Sequence, residues 1–194
     1  MRLEQLTLDT LDPEQRELYE EIAAVRAGRV SASLVADDRG AIRGPFNAML
    51  HYPALGHRLQ ELGGFLRFRG LLPDRARELV ILTAAAAQQS EFEWWAHERI
   101  GRQVGLTDDE IAAVRTAAPL TLDDPIEQAA VDVARATTTS NDLDDDQYAR
   151  ARAVLGEQPL IEVLTLVGFY TMLALQMRVH RVPLPPGATP AFSD

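Results

Sequence analysis

Apolar residues recur at three- and four-residue intervals along most of the chain, and helix-start signals punctuate them. In DPEQRELYEEIAAVRAG, Asp12 stands at a cap, Pro13 at the first helical position and Gln15 at the third, before the segment runs out at a glycine. YPALGHRLQELGGFLRFRG opens in the same way at Pro53, and LPDRARELVILTAAAAQQ at Pro73. The latter is apolar almost all round, which predicts a buried central helix. SEFEWWAHERIGRQVGL follows after at most a tight turn. Next come TDDEIAAVRTAA, where Thr107 and Glu110 have capping-box spacing, and DPIEQAAVDVARATTT, entered at Asp124. DDDQYARARAVLG and PLIEVLTLVGFYTMLALQMRVH complete a set of eight helices. AIRGPFNAML reads as a loop leading into a short helix at Phe46. No segment alternates with a period of two, so the expected fold class is all-α, a helical bundle without a sheet.

A chain of 194 residues with this pattern is most simply one domain, 1–194, with a core over about 41–187, a helical extension over 1–40 and a tail over 182–194. The tail, RVPLPPGATPAFSD, holds four of the 11 prolines and is expected to be extended. No run of 18 uninterrupted apolar residues occurs, so no membrane span is expected, and the N-terminus lacks a signal core, which points to the cytoplasm. The net charge is −10 and all 19 basic residues are arginines scattered without a stripe, so nucleic acid is not an expected partner. The absence of cysteine removes disulfides, thiolate nucleophiles and thiol peroxidase chemistry together. Gly-rich phosphate loops, GxSxG and HExxH are missing as well.

The candidate chemistry lies in SEFEWWAHERIG. On a helix, positions 93, 97, 100, 101 and 104 share one face, so Glu93 and His97 fall among core positions. One helix earlier, Glu78 shares a face with Ile81, Leu82 and Ala85, where an unpaired carboxylate is costly. If the two helices lie side by side, two carboxylates and an imidazole share a desolvated site able to move protons, or to bind a divalent metal. The plainer alternative is that Ser90 and Glu93 form a capping box, a device worth about 1 kcal/mol, and that His97 is a hydrogen-bonded core residue. Trp94, a helical turn from His97, either packs in the core or walls a pocket.

The segment from Glu78 to His97 resembles the central motif of the carboxymuconolactone decarboxylase and AhpD-like alkylhydroperoxidase superfamily. The redox branch of that superfamily carries Glu, eleven residues, Cys, two residues, Cys, three residues, His. Here the same register reads Glu78, eleven residues, Ser90, two residues, Glu93, three residues, His97. The likeness extends through GPFNAMLHYPALGHRLQELGGFLR, HERIGRQVGLTDDEIAAV and LVGFYTMLALQMRVHRVPLPPG, over roughly residues 12–187, and is with the longer cysteine-free, decarboxylase-like members. It implies an AhpD-like helical bundle assembled as a homo-oligomer, a trimer or hexamer, and it carries over Glu78 and His97 as site residues. With Ser90 and Glu93 at the two cysteine positions, no sulfenic acid or disulfide can form. The resemblance then implies a cofactor-free lyase acting by general acid–base chemistry on a small lactone or carbonyl acid, with His97, Glu78 and Glu93 catalytic and no metal. Expected substrate contacts are Ser90, Trp94 and Asn47, with Arg43 or Arg178 anchoring a carboxylate; Asn47 has the alternative use of stitching its own loop. Two other readings remain beside the lyase: a peroxidase-family protein without its redox cysteines, and a non-catalytic binding or scaffold protein on the same fold.

Overall fold

The computed structural model describes residues 1–29 and 31–192. Among them run α1 (Pro13–Arg26), α2 (Ala32–Val35), α3 (Phe46–Leu50), α4 (Pro53–Phe68), α5 (Asp74–Ala87), α6 (Glu91–Gln103), α7 (Asp108–Arg115), α8 (Pro125–Ser140), α9 (Asp145–Leu155) and α10 (Glu157–His180). The eight helices expected from periodicity are all present, α3 starts at Phe46 as expected, and α2 is additional. The described residues contain no strand, only an isolated antiparallel bridge between Ala36 and Ile42. Local chemistry sets several starts. Asp12 and Gln15 form a reciprocal capping box at α1, Thr107 and Glu110 one at α7, and the Asp124 carboxylate accepts from the Ile126 and Glu127 amides at α8.

The bundle is organised around α5, which packs against α6, α7, α8 and α10. Every residue from Ala76 to Ala85 is buried, which accounts for a helix that is apolar nearly all round. The larger core joins α1, α3, α4, α5, α8 and α10, and it includes Leu18 and Ile22 of α1 at 0% exposure. Full burial of such side chains stabilises by roughly 1.5–3 kcal/mol each, so α1 is integral to the core rather than appended to it. A second cluster, containing Leu79, Leu82, Trp94, Ile111 and Val131, lies where α5 meets α6, α7 and α8.

Two features lay α6 against α5. Gln89 takes a left-handed conformation (φ 47°), and the amides of Gln89 and Ser90 return to the carbonyls of Ala86 and Ala85, closing the turn within three residues. Further along, a β-carbon on Gly101 would come within 2.9 Å of Leu106 and 3.4 Å of Leu82, so glycine permits the close approach. The proline-rich tail also has a place: the Ala191 and Phe192 amides donate to the Glu91 carboxylate, and the Phe192 ring stands edge-on to Trp94 at 5.3 Å. By length and composition α10 could cross a membrane, with a mean hydropathy of 1.7 over its most apolar window, yet 56% of that window is buried inside the fold. An uninterrupted-run criterion passes over this helix because Thr, Gly and Gln punctuate it.

Candidate active site

The α5–α6 contact brings Glu78 to His97. Glu78 is fully buried; its Oε1 accepts from Arg67 Nη1 at 2.6 Å and its Oε2 lies 2.8 Å from His97 Nδ1. Burial by itself would raise the Glu78 carboxyl, but Arg67, His97 and Arg77 outweigh it and hold Glu78 below the ordinary carboxylate range. An ionised Glu78 has no proton to give, so the 2.8 Å contact requires one on Nδ1 of His97. Nδ1 is also 3.1 Å from Arg67 Nη1; both are then donors, and we assign the proton to the Glu78 contact because it is shorter and charge-assisted. Burial lowers the His97 pKa despite Glu78, so the ring is neutral at neutral pH and Nε2 carries a lone pair. Nε2 has no hydrogen bond to any described residue.

His97 borders a cavity of about 90 Å³ lined by apolar side chains that include Phe46, Met49, Phe92, Phe169 and Leu173. The polar lining is Arg26, Gln60, Arg67, Glu93, His97 and Tyr170. Glu93, one turn before His97, is only 3% exposed, and neither carboxyl oxygen has a hydrogen-bond partner. Desolvation pushes its pKa well above the ordinary value; the Ser90 hydroxyl eases the shift but lies outside bonding geometry. Burial without a partner therefore favours the protonated form of Glu93. Tyr170 meets the His97 ring edge-on at 5.1 Å, and burial, against the opposing charge of Arg67, pushes its pKa up to about 12. Its hydroxyl keeps its proton at neutral pH and can donate it.

The other residues singled out from sequence lie elsewhere. Ser90 caps α6 only through its backbone, so the expected Ser90–Glu93 capping box is absent: the Glu93 side chain turns to the cavity instead of back to the cap. Trp94 belongs to the second core cluster and does not border the cavity, being about 100° round the helix from Glu93. Asn47 is a stitch: its Oδ1 accepts from the Leu6 amide at 3.0 Å and its Nδ2 donates to the Glu4 carbonyl at 2.9 Å. Arg43 borders a different depression, beside the tail, and Arg178 donates to the Gln88 carbonyl at the end of α5. Neither replaces Arg26 or Arg67, which the sequence reading did not single out. A usable signal existed: Gln60, Gly63, Gly64 and Arg67 share one face of α4, and Tyr170 is a phenol inside an otherwise apolar helix. Among the described residues no group of three or more His, Asp or Glu side chains has metal-binding geometry. Arg67 already supplies a fixed cation between Glu78 and His97.

Residues 53–136 match the carboxymuconolactone decarboxylase family. No curated protein sequence matches the chain. Among solved structures, the fold is similar to that of the apo debrominase Bmp8 (TM-score 0.68, 12% identity, 90% of this chain and 87% of that one). It is also similar to a cysteine-to-alanine variant of Bmp8 in complex with 2,3,4-tribromopyrrole (TM-score 0.70, 13% identity, 96% and 94% covered). A third similar structure is an AhpD-like protein of unknown function from Agrobacterium tumefaciens (TM-score 0.63, 17% identity, 74% and 99% covered). Residues 53–136 thus match the carboxymuconolactone decarboxylase family model, and the chain has an AhpD-like helical fold.

Proposed function

We propose that the protein is a lyase of the carboxymuconolactone decarboxylase type, removing carbon dioxide from a small lactone or carbonyl acid by acid–base chemistry of its own side chains. The observation that carries this reading is the pairing, in one apolar cavity, of a buried carboxyl without a partner and an imidazole held from behind by Glu78. In the proposed step the C–C bond to the substrate carboxylate breaks and carbon dioxide departs. The electron pair left on carbon delocalises onto the adjoining carbonyl oxygen, which accepts a hydrogen bond from the Tyr170 hydroxyl. Glu93 then protonates the carbon, and the carboxylate so formed regains a proton from solvent by way of His97 Nε2. Glu78 and Arg67 position the imidazole without touching substrate.

The cavity is small, about 90 Å³ against ~150 Å³ for an apolar cavity that accepts benzene, so a ring acid enters it only as lining side chains give way. The Bmp8 variant with its bound tribromopyrrole is a precedent for a small ring on this fold, an analogy of fold alone. The experiment is carbon dioxide release from 4-carboxymuconolactone and a panel of related lactones and β-keto acids by wild type, His97→Ala and Glu93→Gln. Turnover by wild type that collapses in both folded variants is expected; wild-type inactivity across the panel would leave a binding role as the better reading. The proposal includes a homo-oligomer joined through α10, where Ile161, Leu164, Leu175 and Val179 form an exposed apolar stripe with Gly168 open among them.

A further inference from the structure

The acid–base reading uses Glu93, His97, Tyr170 and their supports, and leaves two polar side chains of the cavity without a task. Arg26, the last residue of α1, is partly buried, with its guanidinium 4.2 Å from the centroid of the Phe46 ring. Its Nη1 donates to the Ile22 carbonyl at 3.2 Å and to Gln60 Oε1 at 2.8 Å. Its remaining N–H groups have no partner, and no acidic side chain pairs with it, among the described residues. Burial lowers its pKa to about 10, so it remains a cation at neutral pH. Arg75, by contrast, is held by both Glu110 and Glu127. Gln60, 3% exposed on α4, spends its oxygen on Arg26 and leaves Nε2 buried with no partner at all.

A buried amide nitrogen without an acceptor and a cation without an anion are each costly, and here they are bonded to one another on the wall of the same cavity. Both deficits have one chemical remedy, an anionic oxygen group that accepts from both. The hydrogen bond from Arg26 to Gln60 Oε1 fixes the amide so that its two N–H groups, and not its oxygen, are available to a ligand. A guanidinium and an amide presented together suit the planar, two-oxygen geometry of a carboxylate. The surrounding wall, Phe46, Met49 and Phe169 among it, calls for an apolar body attached to that group. Arg26 lies outside the 53–136 segment that matches the family model, and Gln60 lies within it.

We infer that Arg26 and Gln60 form a carboxylate-binding subsite, through which the cavity selects small cyclic carboxylates over their neutral isosteres. The inference rests on the proposed function for the identity of the cavity, but it is tested without turnover. Wild type is titrated calorimetrically with 2-furoate and with furan-2-carboxamide, which has nearly the same shape and no charge. Furoate binds more tightly by about tenfold or more, the scale of a charge-assisted hydrogen bond. Arg26→Met and Gln60→Leu each remove most of that preference and leave carboxamide affinity within about twofold, whereas Arg26→Lys retains part of the preference. Should Arg26→Met fail to fold, Gln60→Glu serves instead, since a carboxylate in that position repels furoate and spares the amide. Equal affinity of wild type for acid and amide, saturable binding of neither, or equal loss of both in the variants would each overturn the subsite. Failure of the lyase reading takes a different form: absent carbon dioxide release with the acid-over-amide preference intact.

Discussion

Replacing Glu93 by Gln should change how stability depends on pH, with a slope fixed by elementary linkage. Glu93 is 3% exposed with both oxygens unpartnered, and desolvation holds its folded-state pKa well above the ordinary 4.5. The stabilising contribution of a group whose pKa rises on folding is complete below the unfolded pKa and is lost as pH climbs to the folded one. In that window the unfolded chain has released the proton and the native chain has kept it, so wild-type stability falls by about 1.4 kcal/mol per pH unit from this group alone. The loss ends once pH passes the folded pKa and the native group ionises too. Glu93→Gln has nothing to titrate. Its amide does put an unsatisfied donor in the cavity, at a cost of about 1–3 kcal/mol, but that cost is independent of pH. The intercept is therefore ambiguous and the slope is diagnostic. Urea denaturation of both proteins at half-unit steps from pH 5 upward should give a variant-minus-wild-type difference that rises by about 1.4 kcal/mol per unit in favour of Gln, then levels. Every other titrating group cancels in the difference. Parallel curves would mean that Glu93 is ionised in the native protein, and the assignment of Glu93 as the proton donor would go with it.

Three other perturbations test separate parts of the structure. Arg67→Met removes the cation facing the fully buried Glu78 and should cost about 3–5 kcal/mol at neutral pH in a denaturant titration; a double variant that adds Glu78→Gln should recover part of it, and a cost under about 1 kcal/mol would contradict the buried pair. Gly56→Ala places a β-carbon 2.6 Å from the Met49 carbonyl oxygen and 2.4 Å from Leu18, and because a backbone atom cannot swing aside, thermal denaturation should show a loss of about 1–3 kcal/mol despite the better helix propensity of alanine. Ile161→Glu combined with Leu175→Glu puts charges on the exposed stripe of α10 and should reduce the molecular mass seen by light scattering while the helical circular dichroism is unchanged; an unaltered mass would show that the copies do not meet there.

The parts of this molecule that could be read from sequence are those decided by neighbours along the chain. Asp12, Thr107 and Asp124 announce their helices because a cap is a local hydrogen bond. Helical phase places Glu93 and His97 on a buried face, and the burial of α5 follows from a composition that is apolar all round. Gln60 and Tyr170 carry a local signal of face and composition but not their destination, and Arg26 carries neither, because each reaches the cavity only where elements distant in sequence meet. Arg43 and Arg178 show the converse: abundant arginine makes proximity in sequence a poor guide to which cation faces a site. Trp94 shows that a residue one position from Glu93 belongs to another face and so to another core.

The Ser/Asp-x-x-Glu/Gln patterns at Asp12 and Ser90 make the sharpest comparison. Asp12 and Gln15 close their box at the exposed start of α1, where Gln15 has no competing demand on its side chain. Ser90 and Glu93 have the same spacing and do not close it, because position 93 shares its face with 97 and 101, and that face is turned into the bundle by the tight turn at Gln89 and the missing side chain at Gly101. Holding Glu93 at the cap would return it toward the helix end, whereas packing carries it inward, where it sheds its charge rather than its burial. A capping-box sequence is therefore decisive only when the third position lies off the core face. When that position falls on the core face, the same residues specify a neutral buried acid, and at Glu93 that acid stands one helical turn from the imidazole with which the proposed chemistry pairs it.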